Sequence, residues 1–214
     1  MRKKLQDHTI KHYNDLFKKF GIDPASLGEP KGRSDLRFQV MTEIGELNNS
    51  RILDVGCGFG FLIDFLNSKK IKSDYLGIDI NSEFIEIAKK RNPTSKFKVR
   101  DIQKNPLQKK FDWIFGIGLA NLVNSYQDLE NLMTAMYNTA NKGIVMNFIT
   151  NYVDFKVKGT FYTSPEKIFK IAKKFSKRVT LRHDYLPYEF CVYIYKKDKI
   201  KKSNNTFLNY SNKK

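Results

Sequence analysis

Apolar residues recur at helical spacing from residue 4 to residue 20, with Leu5, Tyr13, Leu16, Phe17 and Phe20 on one face, and Gly21 ends the pattern. Residues 21–32 hold Pro24, Gly28 and Pro30 and read as loop. Ser34 is placed to cap a second helix running through Leu47, with Asp35 at its positive end. Asn48-Asn49-Ser50 then turns the chain into an apolar strand, Arg51–Val55. From there the two periods alternate. Strands are expected at 74–79, 96–100, 112–117 and 143–149, and helices at 61–68, 82–91 (capped by Ser82) and 126–141. Ser164 and Pro165 open a last helix to about Phe175. Strands 179–183 and 190–196 follow, and the short link Asp184–Glu189 suits a hairpin.

This alternation predicts an α/β fold, Rossmann-like and doubly wound. Its seven-stranded sheet is mostly parallel with one antiparallel edge strand, and helices cover both faces. Three segments are expected: a helical lid at 1–49, a core at 50–198 and a basic tail at 199–214 rich in Lys, Asn and Ser.

Composition narrows this little. The 214 residues are 41% hydrophobic, enough for one sizeable core. No apolar run approaches the ~20 residues of a membrane span. The N-terminus lacks the apolar stretch of a signal peptide. Cys57 and Cys191 show no metal-ligand spacing, so no metal is expected and reduced thiols in a cytoplasmic protein are the simplest reading. The net charge of +17 is uneven, because residues 151–214 carry 16 basic and 5 acidic side chains. A basic surface attracts nucleic acid, anionic membrane or an acidic substrate. The scarcity of Arg and abundance of Lys, Asn and Ile equally fit a compositional bias that merely solvates the surface.

In open α/β sheets ligands lie beyond the carboxyl ends of the strands. At the first such end stands Asp54-x-Gly56-x-Gly58-x-Gly60, with Cys57 in the turn as a packing residue. Alternate glycines let backbone approach a ligand, and a carboxylate there suits a cationic head better than a pyrophosphate. Gly77-Ile78-Asp79 ends the second strand, and Arg100-Asp101-Ile102 follows the third. Together these resemble the class I S-adenosylmethionine-dependent methyltransferase family over residues 50–150. The resemblance implies S-adenosylmethionine as cofactor. It implies that Asp54 faces the amino group, that Asp79 accepts the ribose hydroxyls and that Ile80 covers the adenine. It further implies that Asp101 and the Ile102 amide meet the adenine edge and that Gly116-Ile117-Gly118 lines the methionine end. A nicotinamide Rossmann site would show G-x-G-x-x-G without the upstream acid. Leu36-Arg37-Phe38 and the segment 181–190 are similar to a bacterial subgroup found beside cell-surface polysaccharide genes.

Methyl transfer chiefly needs alignment and exclusion of water, and a hydroxyl acceptor benefits from a base. His183, at the end of the sixth strand beside Asp184, is the candidate base, or else a structural side chain of the hairpin. Adjacent strand residues point to opposite faces, so a His183–Asp184 dyad requires a break in the strand. Tyr185 and Tyr188 are candidate substrate contacts. Asn147, an amide inside an apolar strand, needs partners and is another. Arg37 can meet a carboxylate of the methionine or of the substrate. His8 and His12 can touch substrate if the first helix is a lid. Asn121 lacks the Asn-Pro-Pro-Tyr surroundings of amino-group methyltransferases. The expected function is methylation of a small, anionic-tolerant molecule, at oxygen of a sugar, phosphosugar or phosphoramidate-type group, with nucleic acid not expected as a partner. An RNA or protein methyltransferase docking through the basic surface is the alternative, and a non-catalytic cofactor-binding subunit a third possibility.

Overall fold

The computed structural model describes residues 3–28, 33–123, 125–157 and 159–197. The expected tail at 199–214 lies outside them. Helix α1 (Lys3–Phe20) is followed by a 3-10 turn at Pro24–Leu27, and α2 spans Ser34–Thr42. The sheet is built from β1 (Ser50–Val55), β2 (Ser73–Asp79), β3 (Lys96–Val99), β4 (Phe111–Gly116), β5 (Ala140–Ile149), β6 (Val179–Leu186) and β7 (Glu189–Tyr195). Between them lie α3 (Phe61–Ser68), α4 (Ser82–Arg91), α5 (Tyr126–Thr139) and α6 (Pro165–Phe175).

The strand order is β3-β2-β1-β4-β5-β7-β6. The first five strands are mutually parallel. The antiparallel component is the hairpin at one edge, where β7 slots between β5 and β6 and opposes both. The sheet reverses direction of growth at β1, so β1 and β4 splay their outgoing loops apart and open a crevice between them.

Alternation along the strands divides the core. Leu53, Ile114, Phe148 and Phe190 pack against Met133 and Met136 of α5 and Ile168 of α6. Ile52, Trp113, Val145 and Tyr193 pack on the other face against Phe38 of α2, Leu66 of α3 and Ile85 of α4. Among the described residues no helix is long and apolar enough to cross a membrane.

Three local expectations are corrected. Helix α2 stops at Thr42, not Leu47. Ile44 and Leu47 remain buried, which continues the apolar pattern, but the chain there serves Trp113. The Trp113 indole donates to the Glu46 carbonyl at 2.9 Å, and a Cβ on Gly45 would lie 2.4 Å from the Trp113 ring. Ser34 does not cap α2, whose preceding residue Arg33 makes no side-chain cap. Asn81, not Ser82, caps α4 by accepting from the Glu83 amide at 3.1 Å.

Candidate functional site

A cleft opens over the carboxyl tips of β1, β2 and β4 and the turn after β3. Asp54, Gly56, Cys57, Gly58, Asp79, Ile80, Asp101 and Ile102 line it. The sequence placed all eight at the cofactor, and the fold gathers them. The chain leaves β1 with the Gly56 and Cys57 amides donating to the Ile78 carbonyl at 2.7 and 3.1 Å. That path requires φ of +73° at Gly56 and +52° at Gly58, a region that side chains with a Cβ rarely adopt. Cys57 turns its thiol inward, where a Cβ on Gly77 would lie 2.8 Å from its sulfur. The thiol is a packing group, and burial pushes its pKa well up.

Asp79 locks this turn. Its Oδ2 accepts from the Gly58 amide at 3.0 Å and its Oδ1 from the Asn81 amide at 2.9 Å. Burial raises its pKa while these amides oppose the rise. Each oxygen retains a lone pair for a further donor. Asp54 is 2% exposed. Tyr75 on β2 donates to Asp54 Oδ2 at 2.7 Å. Asp54 Oδ1 is buried and has no hydrogen-bond partner among the described residues. Burial lifts the Asp54 pKa to about 7, partly offset by Tyr75 and reinforced by the nearby Asp79. Asp101 repeats the arrangement, with Oδ1 accepting from the Gln103 amide at 2.9 Å and Oδ2 buried without a partner among the described residues.

A helical lid was expected at 1–49, but the residues of it that face the cleft were not. Thr9, Ile10 and Tyr13 of α1 line the cleft, while His8 and His12 face solvent. Phe17 clamps α1 down, its ring 5.5 Å from Phe59 and 6.0 Å from Phe84. Asn14 accepts from the Asn81 amide nitrogen at 2.6 Å, which ties α1 to the turn held by Asp79. Ile117, Gly118 and Leu119 line the far end with Phe38 and Phe61.

Other expected residues lie elsewhere. Gly60 abuts Phe97 and Asn92, and Gly116 abuts Met136 and Met146, so both serve packing and neither lines the cleft. Arg37, expected to meet a carboxylate of cofactor or substrate, meets Glu189 instead. Its Nε and Nη2 donate to Glu189 Oε1 and Oε2, each at 2.7 Å, with both side chains buried. Asn147 joins that pair and does not line the cleft: its amide nitrogen donates to Glu189 Oε1 at 2.9 Å and its oxygen accepts from the Gly118 amide at 2.8 Å. The Tyr185 hydroxyl also donates to Glu189 Oε1, at 3.0 Å. Glu189 was invisible in the sequence because its partners come from α2, β5 and β6. His183 is outside the cleft, 5.6 Å from the Phe190 ring on the α5 and α6 face. The register of β6 does shift between Arg182 and Leu186. Asp184 nonetheless pairs with Arg182 at 2.8 Å and not with His183. Tyr188 sits in the hairpin turn and donates to Asp154 at 3.1 Å.

The chain that carries this turn is similar to known proteins. Residues 52–143 match the model of a methyltransferase domain. A Mycobacterium tuberculosis protein named as a methyltransferase is 30% identical over 154 residues, which span 68% of this chain and 92% of that protein. The chain belongs to the class I S-adenosylmethionine-dependent methyltransferases. The malonyl-[acyl-carrier protein] O-methyltransferase of Hamiltonella defensa is a more partial relative of this methyltransferase, 26% identical over 55% of this chain and 44% of its own length. The magnesium protoporphyrin IX methyltransferase of Synechocystis PCC 6803, solved with bound S-adenosylmethionine, shares the fold at a TM-score of 0.63. Its identity is 17%, over 92% of this chain and 100% of that one. The enzyme uses S-adenosylmethionine. Its cleft fits that molecule on its own chemistry, since Asp54 and Asp101 each offer a buried acceptor oxygen to a donor from outside the protein.

Proposed function

We propose that this methyltransferase acts on a small polar molecule and methylates an oxygen of a sugar, phosphosugar or phosphoramidate-type group made for cell-surface polysaccharide. The observation that carries this reading is the make-up of the chain beyond the tips of β5 and β6, at the same end of the sheet as the cleft. Beyond the tips of β5 and β6, Tyr188 bonds Asp154, and the Phe155 ring stands edge-on to Tyr188 at 6.1 Å. Phe155 and Tyr152 are largely exposed. Arg33 is exposed and close enough to act electrostatically on the Tyr188 hydroxyl. Aromatic faces pack against the C–H surface of a sugar ring, Asp154 accepts from its hydroxyls, and Arg33 meets a phosphate. The O-methyltransferase relative named above supports oxygen as acceptor.

In this reading Asp54 Oδ1 receives the cofactor's ammonium, Asp79 the two ribose hydroxyls and Asp101 Oδ2 the adenine amino group. Ile80 and Ile102 flank the adenine, and Thr9, Ile10 and Tyr13 of α1 roof the cleft. Bound S-adenosylmethionine supplies a methyl on a sulfonium that is already an excellent leaving group. The chain's own work is to hold the acceptor in line and keep water out.

Part of the basic surface lies away from this cleft and so cannot dock RNA or protein there. Lys142, Arg178 and Lys196 stand at the amino ends of β5 and β6 and the carboxyl end of β7, the sheet edge opposite the cleft. The test is incubation of the purified enzyme and cofactor with sugars, phosphosugars and bulk RNA, read by mass spectrometry. A methylated sugar or phosphosugar supports the reading, and methyl found on RNA alone overturns it.

A further inference from the structure

Glu189 opens β7 and is 7% exposed, yet it does not line the cleft. Its Oε1 accepts from Arg37, Asn147 and Tyr185, and its Oε2 from Arg37. An ionised carboxylate only accepts. That fixes the Asn147 amide, because the opposite flip would set oxygen against carboxylate oxygen and N–H against the Gly118 N–H. With nitrogen on Glu189, the Asn147 oxygen must face Gly118. Gly118 has φ of +71° and borders the cleft between Ile117 and Leu119. At its other end the carboxylate grips Arg37, whose neighbour Phe38 also lines the cleft.

We infer that Glu189 is a positioning residue for the cofactor: it orients Asn147 so that the amide oxygen holds the Gly118 turn, and it ties that turn to α2 through Arg37. The inference rests on the reading that the turn borders the methionine end of the cofactor.

Four variants test it, each titrated calorimetrically with S-adenosylhomocysteine, with amide exchange at Gly118 followed by NMR. Asn147→Ser leaves the Arg37–Glu189 pair whole and cuts the links from Asn147 to Gly118 and to Glu189. It should weaken binding roughly three- to tenfold, the value of one hydrogen bond, and speed Gly118 exchange. Glu189→Gln should act in the same direction. Asn147→Asp with Glu189→Gln puts one carboxylate and one amide back into the cluster and should recover most of the affinity. Ile168→Val, on the buried face of α6, loses stability without touching the network and should bind normally. Should Glu189→Gln fail to fold, Asn147→Ser decides alone. Wild-type affinity and unchanged Gly118 exchange in Asn147→Ser, or a loss no greater than in Ile168→Val, overturns the inference. Asp79→Ala is the reference. If it too binds normally, the cofactor reading itself is wrong, and if it alone loses binding, only the network claim fails.

Discussion

Asp54 carries a carboxyl group with a pKa of about 7 beside the place proposed for the cofactor's ammonium. The raised value means that the protonated form dominates below pH 7. A cofactor ammonium prefers the carboxylate, so binding must expel the proton, and affinity should rise with pH through about 7. Titrating S-adenosylhomocysteine between pH 5.5 and 8 (roughly a decade on either side) should show that rise, with proton release on binding. Asp54→Asn should flatten the profile and weaken binding at pH 8. The free enzyme bears the converse: stability contributed by this group is full below the ordinary carboxylate range and is lost as pH climbs through about 7. Asp79 works differently, since it is caged by two amides before any ligand arrives. Under the proposed reading Asp79→Ala removes acceptors for two ribose hydroxyls, each hydrogen bond to charge worth about 1.5–3 kcal/mol, and calorimetry should find affinity reduced at least about a hundredfold. These two acids and Asp101 were legible because strand-tip positions can be counted along the chain. Glu189 and Tyr75 were not, because each answers a partner far away in sequence.

At the scale of elements, α1 is the part whose role depends most on tertiary contact. Its apolar stripe and a place as lid were readable, but the residues it packs against were not. Phe17 reaches Phe59 in the glycine turn and Phe84 in α4, so the roof is held by aromatic contacts that each contribute about 0.5–1.5 kcal/mol. Phe17→Ala should loosen the roof while sparing the sheet. Hydrogen exchange should rise across α1, cofactor dissociation should quicken, and exchange in β1 and β4 should stay unchanged. Loss of protection throughout would mean that α1 is integral to the core. The helices with complete local signals were read well, and α6, with Ser164 at its cap and Pro165 following, begins and ends as expected. Helix α2 was read too long because burial of Ile44 and Leu47 against Trp113 mimics a helical stripe.

For the whole molecule, the arrangement of charge separates two tasks that the sequence left mixed. The Lys196 pKa is lowered, first by burial and then by Lys110, so positive groups crowd the edge of the sheet away from the cleft. A triple substitution of Lys142, Arg178 and Lys196 by Ala should leave cofactor affinity within about twofold, because charges beyond a Debye length of ~8–10 Å are screened. A larger fall, measured by calorimetry at physiological salt, would tie that edge to the site.

The most direct measurement is a crystal structure with S-adenosylhomocysteine. It should show both ribose hydroxyls on Asp79, the ammonium on Asp54 Oδ1 and the adenine amino group on Asp101 Oδ2. Density for the ligand that leaves Asp54 and Asp101 untouched, or that lies outside the crevice between β1 and β4, would contradict the account.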